Sequence, residues 1–218
     1  MDTRILRVLA RLEDQSNRER LEHVPSEKML LAITSDTGML FNIMLKAMRA
    51  SKILEIGTSA GYSTLWFADA VLQNNTINKS EIEKRIITIE MNHSKVGIAN
   101  KNFYDAGVNE IIDIIEGRAK EVLSRLLANY QNNICINNTD NLFDFVFIDA
   151  DKENLMDYFD LIIPMVKIGG IIATDNMLYP ENYRPQMTKY ANYVRNKTNV
   201  ESVTVPVGNG EEITIKLA

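Results

Sequence analysis

The chain has 218 residues, 45% of them hydrophobic and 24% charged, the balance of a soluble globular protein with room for one sizeable core. That balance excludes a disordered tail, a collagen-like fibre and a disulfide-stapled mini-protein. A net charge of −5 gives no general attraction for nucleic acid or anionic membrane, and the single cysteine, Cys135, excludes an intrachain disulfide and a multi-cysteine zinc site.

Residues 3–22 set Ile5, Leu6, Val8, Leu9 and Leu12 among charges at the spacing of an amphipathic helix. Those charges leave no apolar leader, and no run of eighteen apolar residues follows, so a cytoplasmic protein with nothing spanning a membrane is expected. A second helix is expected from near Ser26 through Met29-Leu30-Leu31. Ser35-Asp36-Thr37-Gly38 reads as a break, and Met39 to Met48 as a third helix with Met39, Met44 and Met48 in the core.

Short apolar runs then alternate with helical stretches: Lys52–Ile56, Arg85–Glu90, Ile111–Ile115, Phe143–Ile148 and Gly170–Thr174. Continuous β-branched runs separated by helices predict a parallel sheet buried on both faces. Val203, Val205 and Val207, the turn Gly208-Asn209-Gly210, then Ile213, Ile215 and Leu217 predict a closing antiparallel hairpin. The expectation is one domain over 1–218, with N-terminal helices (1–50) and a seven-stranded α/β core (51–218). Gln73–Lys84 and Asn129–Asn141 read as long surface connections, and Arg184, Lys189, Arg195 and Lys197 as a solvated basic face.

In such sheets ligands bind at the carboxyl ends of the strands. After the first strand comes Gly57-Thr58-Ser59-Ala60-Gly61-Tyr62-Ser63, whose glycines permit a tight turn and close backbone approach before a helix N-terminus. No dinucleotide fingerprint or P-loop is present, which disfavours a nicotinamide oxidoreductase. The segment also spells Gly-x-Ser-x-Gly, the serine-hydrolase elbow, but His93 is the last histidine and leaves no late partner for that triad. Glu90, ending the second strand, is placed to accept ribose hydroxyls or merely to cap the strand.

The fourth strand ends in Asp149-Ala150-Asp151-Lys152 and the fifth in Asp175-Asn176. Two carboxylates and an amide brought together by neighbouring strands make a hard-oxygen site for Mg²⁺ or Ca²⁺, with Lys152 as counter-charge or base. Either half alone reads as an ordinary polar strand end. Trp66 reads as buried in the helix after the glycine turn.

Together, Glu-Ile-Gly-Thr-x-x-Gly-Tyr-Ser, the post-strand Glu90, Phe-Ile-Asp-Ala-Asp-Lys and Thr-Asp-Asn resemble the cation-dependent S-adenosylmethionine O-methyltransferases. That family includes caffeoyl-CoA and catechol O-methyltransferases and small bacterial and archaeal relatives. The resemblance implies the class I methyltransferase Rossmann-like fold, with S-adenosylmethionine and Mg²⁺, Mn²⁺ or Ca²⁺ as cofactors. It implies a cofactor site of Ile33, Gly57, Ser59, Gly61, Tyr62, Ser63, Glu90, Met91, Ala119 and Asp149. It implies Asp149, Asp175 and Asn176 as metal ligands, and Lys152 with Asp149 as catalytic residues. A small hydroxylated aromatic acceptor and a homodimer are implied as well. Ser59 departs from the glycine of many relatives, Arg118 from an acidic or small residue, and Tyr179–Asn199 is shorter than in the plant enzymes. A hydroxylated tRNA base as acceptor, and a non-catalytic nucleoside-binding protein, are the alternatives.

Overall fold

The computed structural model describes residues 1–24, 29–30, 32–74, 85–134 and 142–218. Helix α1 (Thr3–Leu21) buries Ile5, Val8, Leu9 and Leu12, the stripe that the three-and-four spacing dictates. The helix expected from Ser26 lies largely outside the described residues, and Met29 and Leu30 are not helical.

Helix α2 (Ser35–Ala47) begins four residues earlier than expected, because Ser35-Asp36-Thr37-Gly38 is its first turn and not a break. Thr34 caps it by accepting the Thr37 N–H at 3.2 Å, and Asp36 sits at the positive end of the helix dipole. Gly38 fits inside because the Trp66 ring fills the space a side chain would need, 2.4 Å from a built Cβ. Met44 and Met48 pack on the core, but Met39 is 52% exposed, since one face of α2 is left to solvent.

Strands β1 (Ile53–Ile56), β2 (Ile86–Glu90), β3 (Ile112–Glu116), β4 (Phe143–Ile148), β5 (Val166–Thr174), β6 (Val200–Val205) and β7 (Glu211–Lys216) form one sheet. Their order is β3-β2-β1-β4-β5-β7-β6. The first five are parallel and β7 runs against both its neighbours. β5 starts at Val166 rather than Gly170: the register shifts opposite Phe143 and Phe145, and Gly169 absorbs the irregularity at φ +78°.

Between the strands lie α3 (Tyr62–Asn74), α4 (His93–Ala106), α5 (Ala119–Ile134), α6 (Leu155–Ile162) and α7 (Arg184–Arg195). Helices α3 and α5 take up the starts of both expected connections; residues 75–84 and 135–141, Cys135 among them, lie outside the described residues. Alternate strand residues feed two cores. Ile53, Phe145 and Phe147 meet α1 to α4, and Leu54, Val146 and Ile148 meet α5 to α7. Phe41 and Phe67 close the first core on Phe145 and Phe147, with ring centroids 5.3 to 5.6 Å apart. Among the described residues no helix is long and apolar enough to cross a membrane.

The strand order reverses between β1 and β4, so the crevice lies at their carboxyl ends. Gly57 and Asp149 stand there.

Candidate active site

The turn after β1 is built for close approach. Gly57 has φ +102°, and a Cβ on it would lie 2.0 Å from the Asp149 carbonyl oxygen. Gly61, at φ +84°, leaves the space that the Phe103 ring occupies, 2.3 Å from a built Cβ. No other residue satisfies both constraints. Tyr62 and Ser63 open α3 but turn inward: the Tyr62 ring packs against Trp66, and the Ser63 hydroxyl donates to the buried Glu55. At these positions the turn offers a ligand the main chain of a helix start, where the first N–H groups have no partner within the helix itself.

Glu90 is held at both oxygens. Oε2 accepts the Ser59 N–H and Oε1 the Asn92 N–H, each at 2.8 Å, so the carboxylate is fixed with lone pairs left for two hydroxyl donors. Ser59 also donates from its hydroxyl to the Leu30 carbonyl and accepts from Lys95 Nζ at 3.3 Å. That pins the segment before α2, with buried Ile33, to the glycine turn. Met91 projects 67% exposed beside Glu90, an apolar platform for a flat ring. Ala119, half-buried, begins α5 next to exposed Arg118.

The two acidic strand ends meet. The Asp149 N–H donates to Ile56 at 2.9 Å and the Asp175 N–H to Ile148 at 3.1 Å, so both residues continue neighbouring strands. Lys152 Nζ lies 3.2 Å from Asp149 Oδ1, its side chain almost fully enclosed. Burial, then the charge of Asp149, pushes the Asp175 carboxyl up to about 7. Asn176, in the left-handed region at φ +68°, turns the chain so that its N–H reaches Asp175 Oδ1 at 2.5 Å.

A third carboxyl escaped the sequence reading. Glu211, at the start of β7, is fully buried; Oε1 accepts the Thr37 hydroxyl at 3.2 Å, and its carboxyl group hydrogen-bonds that of Asp175. Burial, then the neighbouring Asp175, raises it to about 11, so it holds a proton beside Asp175. The signal was available in Gly210-Glu211-Glu212-Ile213, where two consecutive acids interrupt the alternation expected of a strand. Glu55 was missed too: it sits inside β1 and organises Ser63, Thr64 and Thr88 around itself.

Comparison with known proteins identifies the family and the fold. The O-methyltransferase family profile matches residues 11–217. The chain belongs to the O-methyltransferase family. Among its curated relatives, Caffeoyl-CoA O-methyltransferase 1 of Zea mays is 32% identical, over 83% of this chain and 70% of that protein. Caffeoyl-CoA O-methyltransferase of Petroselinum crispum is also 32% identical, over 83% and 75%. Solved structures share the fold, two of them with a bound cofactor or its product. The O-methyltransferase from Bacillus cereus in complex with SAH has a TM-score of 0.73 at 22% identity, covering 99% of this chain and 91% of that one. The O-methyltransferase TomG from Streptomyces achromogenes in complex with SAM has a TM-score of 0.74 at 22% identity, covering 100% and 91%.

The glycine crevice and the acidic strand ends adjoin at Gly57 and Asp149. Among the described residues no three His, Cys, Asp or Glu side chains form a metal cage. A cation here would rest on two carboxylates and the Asn176 amide, completed by water. The donor chemistry fits: mutually repelling Asp149 and Asp175 gain from a positive ion between them, and hard oxygens suit Mg²⁺ or Ca²⁺. The basic stretch is less of a solvated face than expected, because Arg195 points its guanidinium at the buried Glu212 and Lys197 pairs with Asp160.

Proposed function

We propose that this O-methyltransferase moves the methyl group of S-adenosylmethionine to one hydroxyl of a catechol-like, metal-chelating small molecule. The observation that carries the reading is the junction of Asp149, Lys152, Asp175 and Asn176 with the glycine turn at one end of the sheet. When bound, the sulfonium supplies an activated methyl group, and a divalent cation orients two vicinal oxygens and favours ionisation of one.

The chain's own residues do the rest. Gly57 and Gly61 let the backbone close on the cofactor, Glu90 accepts its ribose hydroxyls, and Met91 and Ala119 bound its adenine. Ile33 and Ser59 line the approach from the segment before α2. Asp149, Asp175 and Asn176 hold the cation. Lys152, as the free amine, would accept the proton of the hydroxyl that receives the methyl group, the electron pair of the broken bond remaining with the sulfur of the bound cofactor. Positioning supplies most of the rate, since the methyl group arrives already activated. The reading extends to a homodimer, which light scattering tests directly.

Calorimetric titration of S-adenosylhomocysteine into wild type and Glu90→Ala, with and without Mg²⁺, tests the cofactor site. Wild type binds and the variant loses affinity; no binding to wild type removes the reading. Asp175→Ala is expected to abolish turnover of caffeoyl-CoA while retaining S-adenosylhomocysteine, and full wild-type activity in excess chelator would defeat the metal role.

A further inference from the structure

Lys152 stands in a single three-residue turn, Lys152–Asn154, between β4 and α6. Turns this short depend on tertiary bonds to keep one conformation. On the α6 side the preceding residue is clamped: Asp151 accepts the Tyr158 hydroxyl at 2.5 Å and the Asn154 amide. On the α7 side the protein is open. A cavity of about 460 Å³ lies there, its walls including Lys152, Glu153, Met156, Asn182, Gln186 and Lys189. One side chain of α7 ties across to the turn: Gln186 Nε2 donates to the Lys152 carbonyl at 2.6 Å.

We propose that Gln186 is a positioning residue for Lys152, fixing the main chain from which the lysine reaches toward Asp149. The inference rests on the role of Lys152 as proton acceptor proposed above. With the cavity beside the turn there is little packing to replace that bond, so its loss lets the Lys152 carbonyl rotate into open space and moves Nζ with it. Because Gln186 stands on α7, the docking of that helix also sets where the base stands.

Gln186→Met keeps the side-chain length and removes the donor; Gln186→Glu keeps the shape and, when ionised, opposes the carbonyl. Hydrogen exchange needs no acceptor and reads the tie directly. Amides of residues 151–156 are expected to exchange about tenfold faster in both variants, the worth of one neutral hydrogen bond, with β1 and α1 unchanged. Unchanged exchange at the turn overturns the proposal.

Kinetics with S-adenosylmethionine, Mg²⁺ and caffeoyl-CoA then separate positioning from general destabilisation. The kcat is expected to fall about tenfold with KM for S-adenosylmethionine unmoved. Gln186→Met added to Lys152→Ala is expected to lower the rate no further, because the two act through one group. Additive losses, or a wild-type rate in Gln186→Met while Lys152→Ala is impaired, overturn the positioning role alone. A wild-type rate in Lys152→Ala removes the base assignment itself, and this inference with it.

Discussion

Glu55 offers the sharpest test of how the buried polar layer under the glycine turn works. It is fully buried in β1, where the hydroxyls of Ser63, Thr64 and Thr88 all donate to its carboxyl group, the last two at 2.5 and 2.6 Å. Burial still outweighs those bonds, and Asp149 adds repulsion, so its pKa rises from 4.5 to about 7. The folded chain therefore holds this proton more tightly than the unfolded chain. The stabilisation is fully present below the unfolded pKa and is lost as pH rises through the folded one, so stability declines from about pH 4.5 to about pH 7 and is flat above. At 1.36 kcal/mol per pKa unit the loss between pH 5 and pH 8 is about 2.5 kcal/mol, roughly 5–10 °C in Tm for a chain of this size. Glu55→Gln cannot ionise and keeps an accepting oxygen. Urea unfolding of both proteins across that range isolates the group, since other titrations cancel in the difference. The variant is expected to gain on wild type by about 2.5 kcal/mol from pH 5 to pH 8. A difference that stays level with pH would refute the assignment of Glu55 as the strained acid.

Three further outcomes follow from the same structure. Gly57→Ala, with its Cβ 2.0 Å from the Asp149 carbonyl and φ at +102°, is expected to destabilise by more than about 3 kcal/mol and to abolish S-adenosylhomocysteine binding, checked by thermal melting and calorimetry. Arg195→Ala leaves fully buried Glu212 without the two N–H groups that reach it at 2.8 Å, and is expected to cost about 3 kcal/mol; Glu212→Gln in that background restores part of it on urea melts. Asp144 is held below its ordinary range against the effect of burial, by Lys167 at 2.6 Å and the N–H groups of Ser51 and Lys52. Its stabilisation is present above the unfolded pKa near 4 and fades as pH falls through the lower folded value. Asp144→Asn is therefore expected to be about 2 kcal/mol less stable at pH 7, the gap closing in acid melts.

The parts of this protein legible from its sequence are those whose cause is local. Ile53–Ile56 and Phe143–Ile148 announce themselves because a parallel strand covered by helices on both faces has no polar side, so apolar residues fill both strands apart from one acid in each, Glu55 and Asp144. The glycines of the turn and the acids at the strand ends stand out because they break that pattern where the chain leaves the sheet, and the sheet brings Gly57, Asp149 and Asp175 together as their positions promised. Ser35-Asp36-Thr37-Gly38 misled for a matching reason. Polar residues and a glycine read as a break, and only the Thr34 cap and the Trp66 ring against Gly38, 28 residues away, make them a helix start.

Local pattern determined the strands, the hairpin and the residues of the crevice. The three-dimensional structure alone decided what acts on them. β7 enters between β5 and β6, and that order sets Glu211 beside Asp175 and Thr37, which is 174 positions distant along the chain. Gln186 reaches Lys152 across 34 positions, and Glu55 gathers hydroxyls from two other elements. Periodicity records whether a side chain faces inward; which group meets it there depends on strand order and helix docking, and those are settled by the packing of the whole core.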